Sequence, residues 1–316
     1  MTNSIAVNIV DVCKGYNGTQ VLDEVRLQVR TNEFYVLMGP NGSGKSTLLS
    51  IIAGTNPADS GSIEILNSDL HRESENAKSH IGYVPQENFC SAFLTGRENL
   101  EYFAGLLGLN GSESKKRIAD LLAMMQLTEH ANRRVAEYSG GMRKKLEVAT
   151  ALLGDVKVLL LDEPTTGLDP GARKDFLSLL SEISDQGKTV LLVTHIGEDA
   201  DAASQVGFMV DGKIVVEGTP GELKSLSGLT STIVIDASPR TQELMMILAG
   251  LDDSCIVAEV DDGFRMICDN PMRLIPVIAE TLMKAGYELH RIDTHPPSLE
   301  DVFHQLTDVT IRGDAH

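Results

Sequence analysis

One eight-residue segment combines glycines, a lysine and a serine at a spacing that suits the binding of phosphate groups. Its residues are Gly39, Pro40, Asn41, Gly42, Ser43, Gly44, Lys45 and Ser46, and Thr47 follows them. Glycine permits backbone angles that turn successive N–H groups toward one cavity, and a helix that begins near Gly44 adds its positive end there. Lys45 would reach the β- and γ-phosphates, and the Ser46 hydroxyl would coordinate a Mg²⁺ ion between them. The segment therefore predicts a nucleotide-phosphate site.

A pair of adjacent carboxylates follows a strongly apolar run later in the chain. Residues 158–161 are continuously apolar, which is typical of a parallel strand covered on both faces, and Asp162 and Glu163 come directly after them. Asp162 would hold the metal ion, and Glu163 would orient the attacking water or accept its proton. A second such run, residues 190–193, ends at Thr194, and His195 follows. Because the carboxyl ends of parallel strands share one edge of a sheet, we expect these polar residues to lie together.

Composition limits the classes of function. The chain has 316 residues, and its formal net charge of −18 does not indicate a nucleic acid-binding surface. Its four cysteines lack the spacing of zinc ligands. No stretch approaches the ~20 apolar residues of a membrane span, and no secretory signal is evident. We therefore expect a cytoplasmic protein, peripheral at the cytoplasmic face of the cell membrane, that reaches the membrane only by docking to another protein.

The pattern of apolar residues predicts an α/β phosphate-loop domain with an antiparallel β-subdomain and a helical insert. Residues 5–12 and 21–29 alternate as antiparallel strands do, and residues 34–38 form a buried strand before the phosphate segment. The insert consists of three helical segments, at residues 97–107, 115–126 and 142–153.

The pattern changes after residues 218–221, which are rich in glycine and proline. The predicted order is then strand, helix, strand, strand, helix, strand, as in a ferredoxin-like α+β domain, with a turn at Asp262 and Gly263. A last helix is expected to begin at Ser298, with Asp301 three residues later in its cap. We predict two domains, a nucleotide-binding domain at 1–225 and an accessory domain at 226–316.

Further motifs resemble those of one family, the nucleotide-binding subunits of ABC transporters. The sequence Tyr138-Ser139-Gly140-Gly141-Met142, which precedes the carboxylate pair, is similar to that family's signature motif. Its other landmarks follow in the expected order: Tyr16 as the adenine-stacking aromatic, Gln86 of the Q-loop, Asp169 of the D-loop and His195 as the switch histidine. The resemblance implies that Ser139, Gly140, Gly141 and Asp169 also contact ATP, that Glu163, His195, Gln86 and Lys45 act in catalysis, and that Ser46, Gln86 and Asp162 hold Mg²⁺.

The signature motif departs from its common Leu-Ser-Gly-Gly-Gln form. Tyr138 replaces leucine and Met142 replaces glutamine, whereas Ser139 and both glycines are retained. Only the contact of the glutamine side chain is in doubt, and the same variant resembles ATPases of drug-exporter type. Residues 94–100 and 297–303 resemble segments of the ABC-2 exporter branch, the daunorubicin-resistance type.

The resemblance implies an ATP-hydrolysing subunit that forms a homodimer with two composite ATP sites and drives a separate transmembrane permease. The alternative is a non-transport ABC ATPase that acts as a switch on ribosomes or DNA. A regulatory binding module would require a damaged carboxylate pair, and Glu163 is intact. Taken singly, Tyr16 also fits a half-buried strand-end aromatic, Gln86 a solvated loop residue and His195 an ordinary core or loop histidine.

Overall fold

The computed structural model describes residues 4–226, 231–252, 255–260, 263–268, 271–295 and 298–305. The chain divides into two compact units, Met1–Thr219 and Pro220–His316. The boundary expected from the sequence, after residue 225, falls within the helix Pro220–Leu226, so that whole helix belongs to the second unit.

The first unit contains two sheets and a set of helices. Its strands are β1 (Ile5–Tyr16), β2 (Thr19–Arg30), β3 (Phe34–Met38), β4 (Ser60–Ile65), β5 (Ser68–Asp69), β6 (Ile81–Val84), β7 (Val158–Asp162), β8 (Thr189–Thr194), β9 (Gln205–Val210) and β10 (Lys213–Gly218). Its helices are α1 (Lys45–Ile52), α2 (Ser74–Ser79), α3 (Gly96–Leu106), α4 (Gly111–Met124), α5 (Gly140–Ala151), α6 (Pro170–Asp185) and α7 (Gly197–Asp201). Short 3₁₀ turns lie at Thr128–His130 and Val135–Glu137.

The larger sheet places the chemistry at one edge. Its strand order is β10-β9-β3-β8-β7-β6, and neighbouring strands are parallel except for β10. Every residue of β3, β7 and β8 is buried, because other elements cover both faces of the sheet: helices such as α6 pack on it, and α1 and the smaller sheet share a core with it. The carboxyl ends of these three strands therefore meet, and the phosphate segment, Asp162 and His195 follow directly from them.

The smaller sheet is antiparallel, with the order β2-β1-β4-β5, and this confirms the predicted antiparallel subdomain. Apolar residues of both sheets and of α1 form one core, which includes Val7, Leu49 and Leu160. A tight turn at Asp211 and Gly212 joins β9 to β10 as a hairpin, and both residues have the positive φ of such turns.

Helices α3, α4 and α5 form the predicted insert. Helix α3 begins with a capping box, in which the Thr95 hydroxyl accepts from the Glu98 N–H and the Glu98 carboxylate accepts from Thr95. Helix α4 begins four residues before its predicted start, at Gly111, and Ile118, Leu121 and Leu122 form a buried apolar stripe along it.

The second unit begins with a helix that was not predicted, and its remaining described elements follow the predicted order. The elements of this unit are α8 (Pro220–Leu226), β11 (Ser231–Ser238), α9 (Gln242–Ala249), β12 (Ile256–Val260), β13 (Gly263–Cys268), α10 (Pro271–Lys284), β14 (Glu288–His295) and α11, at residues 299–305. The sheet order is β12-β13-β11-β14, with all neighbours antiparallel. Asp262 and Pro297 lie outside the described residues.

The predicted cap of the last helix is confirmed, since the Asp301 N–H donates to Ser298 Oγ and the Ser298 N–H donates to Asp301 Oδ2, both at 3.1 Å.

Across the described part of the chain, no helix combines the length and the apolar composition that crossing a membrane requires.

Candidate functional site

The phosphate loop connects β3 to α1, and its conformation depends on glycine. Gly42 and Gly44 have φ angles of 85° and 103°, in the left-handed region that side chains disfavour. Gly44 is the residue before the first turn of α1. At Gly39 the constraint is space, because a Cβ there would lie 2.2 Å from the backbone oxygen of Met209.

Replacing Gly39 with alanine is expected to lower the free energy of unfolding by about 1–3 kcal/mol, because the methyl group would meet a fixed backbone oxygen. Urea unfolding of the full chain measures this change. Gly105→Ala is the matched control: it lies inside α3, a Cβ there meets nothing within 4 Å, and we expect it to be neutral or stabilising. Equal unfolding midpoints for Gly39→Ala and the wild type would contradict this assignment.

Lys45 is buried inside the loop. Its Nζ donates to the carbonyl oxygens of Gly39 and Pro40 at 2.8 and 2.9 Å. Burial lowers the pKa of Lys45, and the carboxylates of Glu163 and Asp162 oppose that shift. The ammonium group is therefore held at the phosphate loop by carbonyls, which phosphate oxygens can replace as stronger acceptors.

Ser46 and Asp162 offer two oxygens that suit magnesium. Ser46 Oγ donates to Asp162 Oδ1 at 2.9 Å. Two ligands at adjacent corners of a Mg²⁺ octahedron, each at about 2.0–2.1 Å from the ion, are about 2.9 Å apart. Among the described residues no three His, Cys, Asp or Glu side chains converge on a metal site. The pair therefore fits an ion that takes its remaining ligands from phosphate and water, as Mg²⁺ commonly does. Burial raises the pKa of Asp162, and the bond from Ser46 opposes that shift.

Glu163 lies between two other predicted site residues. Its Oε2 accepts from Gln86 Nε2 and its Oε1 pairs with His195 Nδ1, each at 3.1 Å. The strand order explains this arrangement, because β7 lies between β6, which leads to Gln86, and β8, which leads to His195. The backbone at Glu163 is left-handed, with a φ of 46°, a conformation that costs about 1 kcal/mol or more and is concentrated at functional sites.

Ser139 and Asp169 are exposed, and each caps a helix. Ser139 Oγ accepts from the Met142 N–H at the start of α5, where Gly140 and Gly141 are the first helical residues. Asp169 Oδ1 accepts from the Ala172 N–H at the start of α6. Hydrogen bonds thus join Ser46 to Asp162, and Glu163 to both Gln86 and His195. Ser139 and Asp169, in contrast, bond only to the N–H groups of the helices that they cap.

Tyr16 has a polar surrounding that the sequence interpretation missed. The residue is 44% exposed, its hydroxyl accepts from Asn56 Nδ2, and Lys14 Nζ lies 5.3 Å from the ring centroid. Lys14 is itself paired with Asp59 at 2.8 Å. Side chains alternate along a strand, so the sequence does indicate that Lys14 and Tyr16 lie on the same face of β1. Nothing in the sequence indicates that the loop containing Asn56 and Asp59 lies beside Tyr16.

Comparisons with known proteins agree on one family. The model of the ABC transporter family matches residues 22–166. The Nod factor export ATP-binding protein I of Sinorhizobium fredii is 34% identical over 309 residues, covering 96% of this chain and 87% of that protein. The doxorubicin resistance ATP-binding protein of Mycobacterium tuberculosis is 34% identical over 312 residues, covering 96% of this chain and 93% of that protein.

Several solved structures that this chain resembles are ATP-binding cassettes of ABC transporters. One is a dimeric cassette in a post-hydrolysis state, bound to ADP and phosphate, which is 29% identical with a TM-score of 0.60. That match covers 67% of this chain and 98% of the other. The fold that carries the phosphate loop and the carboxylate pair is thus that of an ATP-binding cassette.

Proposed function

The chain belongs to the ATP-binding subunits of ABC transporters, in the ABC-2 exporter branch, and from this premise we propose that two copies close on two ATP molecules and drive a separate membrane-spanning subunit. The chain is an ATPase that converts ATP and water to ADP and phosphate in an exporter. Its relatives do not favour the alternative of a switch on ribosomes or DNA.

The observation that best supports this function is the position of Glu163. Its carboxylate lies within hydrogen-bond distance of Gln86 and His195, beside the phosphate loop and at the end of the strand that carries Asp162. A water between this carboxylate and the γ-phosphate would be oriented for attack, and Glu163 would accept its proton. His195 uses Nδ1 for Glu163, which leaves Nε2 for a phosphate oxygen.

The triphosphate would be held mainly by one copy. The loop from Gly39 to Thr47 would bind its oxygens through the backbone N–H groups, which all of these residues except Pro40 have, and through the Lys45 ammonium. Tyr16 would stack on the adenine. Ser46 and Asp162 would hold Mg²⁺, with Gln86 beside them; when bound, the ion neutralises charge that develops on the transferred phosphoryl group.

The second wall of each site would come from the other copy. Ser139 and Gly140 lie exposed at the positive end of the 12-residue helix α5, which suits a phosphate group. Asp169 is exposed at the adjoining loop. The matching cassette that contains ADP and phosphate is a dimer, which supports this arrangement.

The remaining partner would be a permease in the cell membrane, with this chain at its cytoplasmic face. We expect the chain to sediment with membranes when it is produced together with a permease encoded beside it, and to remain in the supernatant when produced alone. Ultracentrifugation followed by immunodetection measures both. Equal membrane association with and without the permease would contradict the proposal that the permease is the anchor.

A further inference from the structure

A short segment at residues 86–91, which we call the Q segment, links the nucleotide site to the helical insert. It begins at Gln86, whose side chain contacts Glu163. At its other end, the Ser91 backbone N–H donates to Asn99 Oδ1 at 2.7 Å, and Asn99 Nδ2 donates back to the Ser91 carbonyl oxygen at 3.0 Å. Asn99 lies in α3 and is buried. The two ends of the segment are therefore fixed to different parts of the first unit.

A buried ion pair in α5 lies against the Q segment. Lys144 Nζ lies 3.0 Å from Glu147 Oε2, and these side chains are only 10% and 1% exposed. Lys144 Nζ also lies 3.5 Å from the Gln86 carbonyl oxygen, and the Phe89 backbone N–H faces the Glu147 carboxylate and acts to lower the pKa of Glu147. The cation thus faces a backbone acceptor of the segment and the carboxylate a backbone donor.

This pair is poorly suited to a role in stability alone. Burying two charges costs several kcal/mol for each ion, and apolar residues of similar size often serve as well. Glu147 Oε1 is buried without a hydrogen-bond partner in the described structure, which adds to that cost. Burial raises the pKa of Glu147, and Lys144 opposes that shift. What apolar residues cannot do is hold both a carbonyl and an N–H of an irregular backbone segment.

The same helix begins at the signature motif. Ser139 caps α5, and Lys144 and Glu147 follow roughly 8 and 12 Å further along the helix axis. A helix of this length moves as a rigid unit, so any displacement of its capped end reaches the ion pair. We propose that Lys144 and Glu147 are positioning residues that couple the signature end of α5 to Gln86, and thereby to Glu163. This inference rests on the proposed function, because it assumes that Ser139 meets the ATP of the other copy.

The test uses three forms of the full chain. Lys144→Met with Glu147→Leu removes both charges and keeps a packed interior. A charge swap, Lys144→Glu with Glu147→Lys, keeps an ion pair but places a carboxylate against the Gln86 carbonyl. Lys144→Arg keeps the cation and its donor. Turnover, KM for ATP, ATP affinity and the melting temperature are measured for each.

We expect the apolar double variant to lose about tenfold in kcat, with ATP affinity and melting temperature close to wild type. The charge swap should lose kcat to a similar extent and keep its ATP affinity, but its melting temperature should fall, because it buries a carboxylate against a carbonyl oxygen. Lys144→Arg is expected to retain most of its turnover. Lys145→Met is the matched control, since this lysine of the same helix contacts Gln126 instead of the Q segment, and it should match the wild type.

Wild-type turnover in the charge swap would overturn the inference, because only the attraction between the two charges would then matter. Loss of ATP affinity together with turnover would also overturn it, by showing a general structural role. If the apolar variant does not fold, the charge swap and Lys144→Arg decide between these outcomes. An unmodified chain without ATP turnover would instead contradict the proposed function, so the two failures are distinguishable.

Discussion

Replacing Glu163 with glutamine is expected to lower ATP turnover by about 10²-fold or more while ATP binding stays near the wild-type level. The amide keeps the size of the side chain and its contact distance to Gln86, but it cannot accept the proton of the attacking water. The phosphate loop and Lys45, which hold the triphosphate, are unchanged. Phosphate release and equilibrium nucleotide binding, measured on one preparation, test both halves of the expectation.

Unhydrolysed ATP should also keep two copies of Glu163→Gln together, so its mass in solution should double when Mg-ATP is added. Glu198→Gln is a matched control, because its carboxylate is largely exposed and pairs with Arg173 instead of a residue of the proposed site. Such surface pairs contribute about 0–1 kcal/mol, and its turnover should be unchanged. Turnover near the wild-type value in Glu163→Gln would remove Glu163 from the proposed role.

Ser139→Arg and Lys45→Ala should fail in different ways. Ser139→Arg is expected to bind ATP almost normally and to hydrolyse it about 10²-fold more slowly, because the added side chain blocks the wall that the other copy supplies to the γ-phosphate. Lys45→Ala should lose affinity for the triphosphate itself, because the cation within the loop is gone. Titration with a fluorescent ATP analogue separates these two losses.

Mixing the two inactive proteins should restore part of the turnover. In a heterodimer one site contains both changes, whereas the other combines an intact phosphate loop with an intact signature motif. Recovery requires that one site can act alone, and the recovered rate should depend on the ratio of the two proteins.

Much of the site followed from sequence because its residues stand next to strands that are easily detected. The apolar run at residues 34–38 corresponds to β3 residue for residue, and runs in a parallel sheet end at a shared edge. That rule alone places the phosphate loop, Asp162 and His195 together. Caps such as Ser298 with Asp301 are also local patterns, and the structure has them.

The contacts that sequence could not supply join residues far apart in the chain. The Phe89 N–H meets Glu147, and Asn56 meets the Tyr16 hydroxyl, through loops whose paths depend on tertiary packing. The left-handed backbone at Glu163 is likewise imposed by its neighbours, since glutamate has no preference for it. The first helix of the second unit, α8, was not predicted. The sequence pattern changes at residues 218–221, but the domain boundary was expected after residue 225, which lies within this helix.

The central claim is that each ATP is hydrolysed between two copies of the chain, and one measurement tests it most directly. It is the turnover of Ser139→Arg, determined together with its mass in solution at the same protein concentration. We predict that this protein binds ATP and has turnover reduced by about 10²-fold at every concentration. A Ser139→Arg protein that hydrolyses ATP at the wild-type rate as a monomer would contradict the claim.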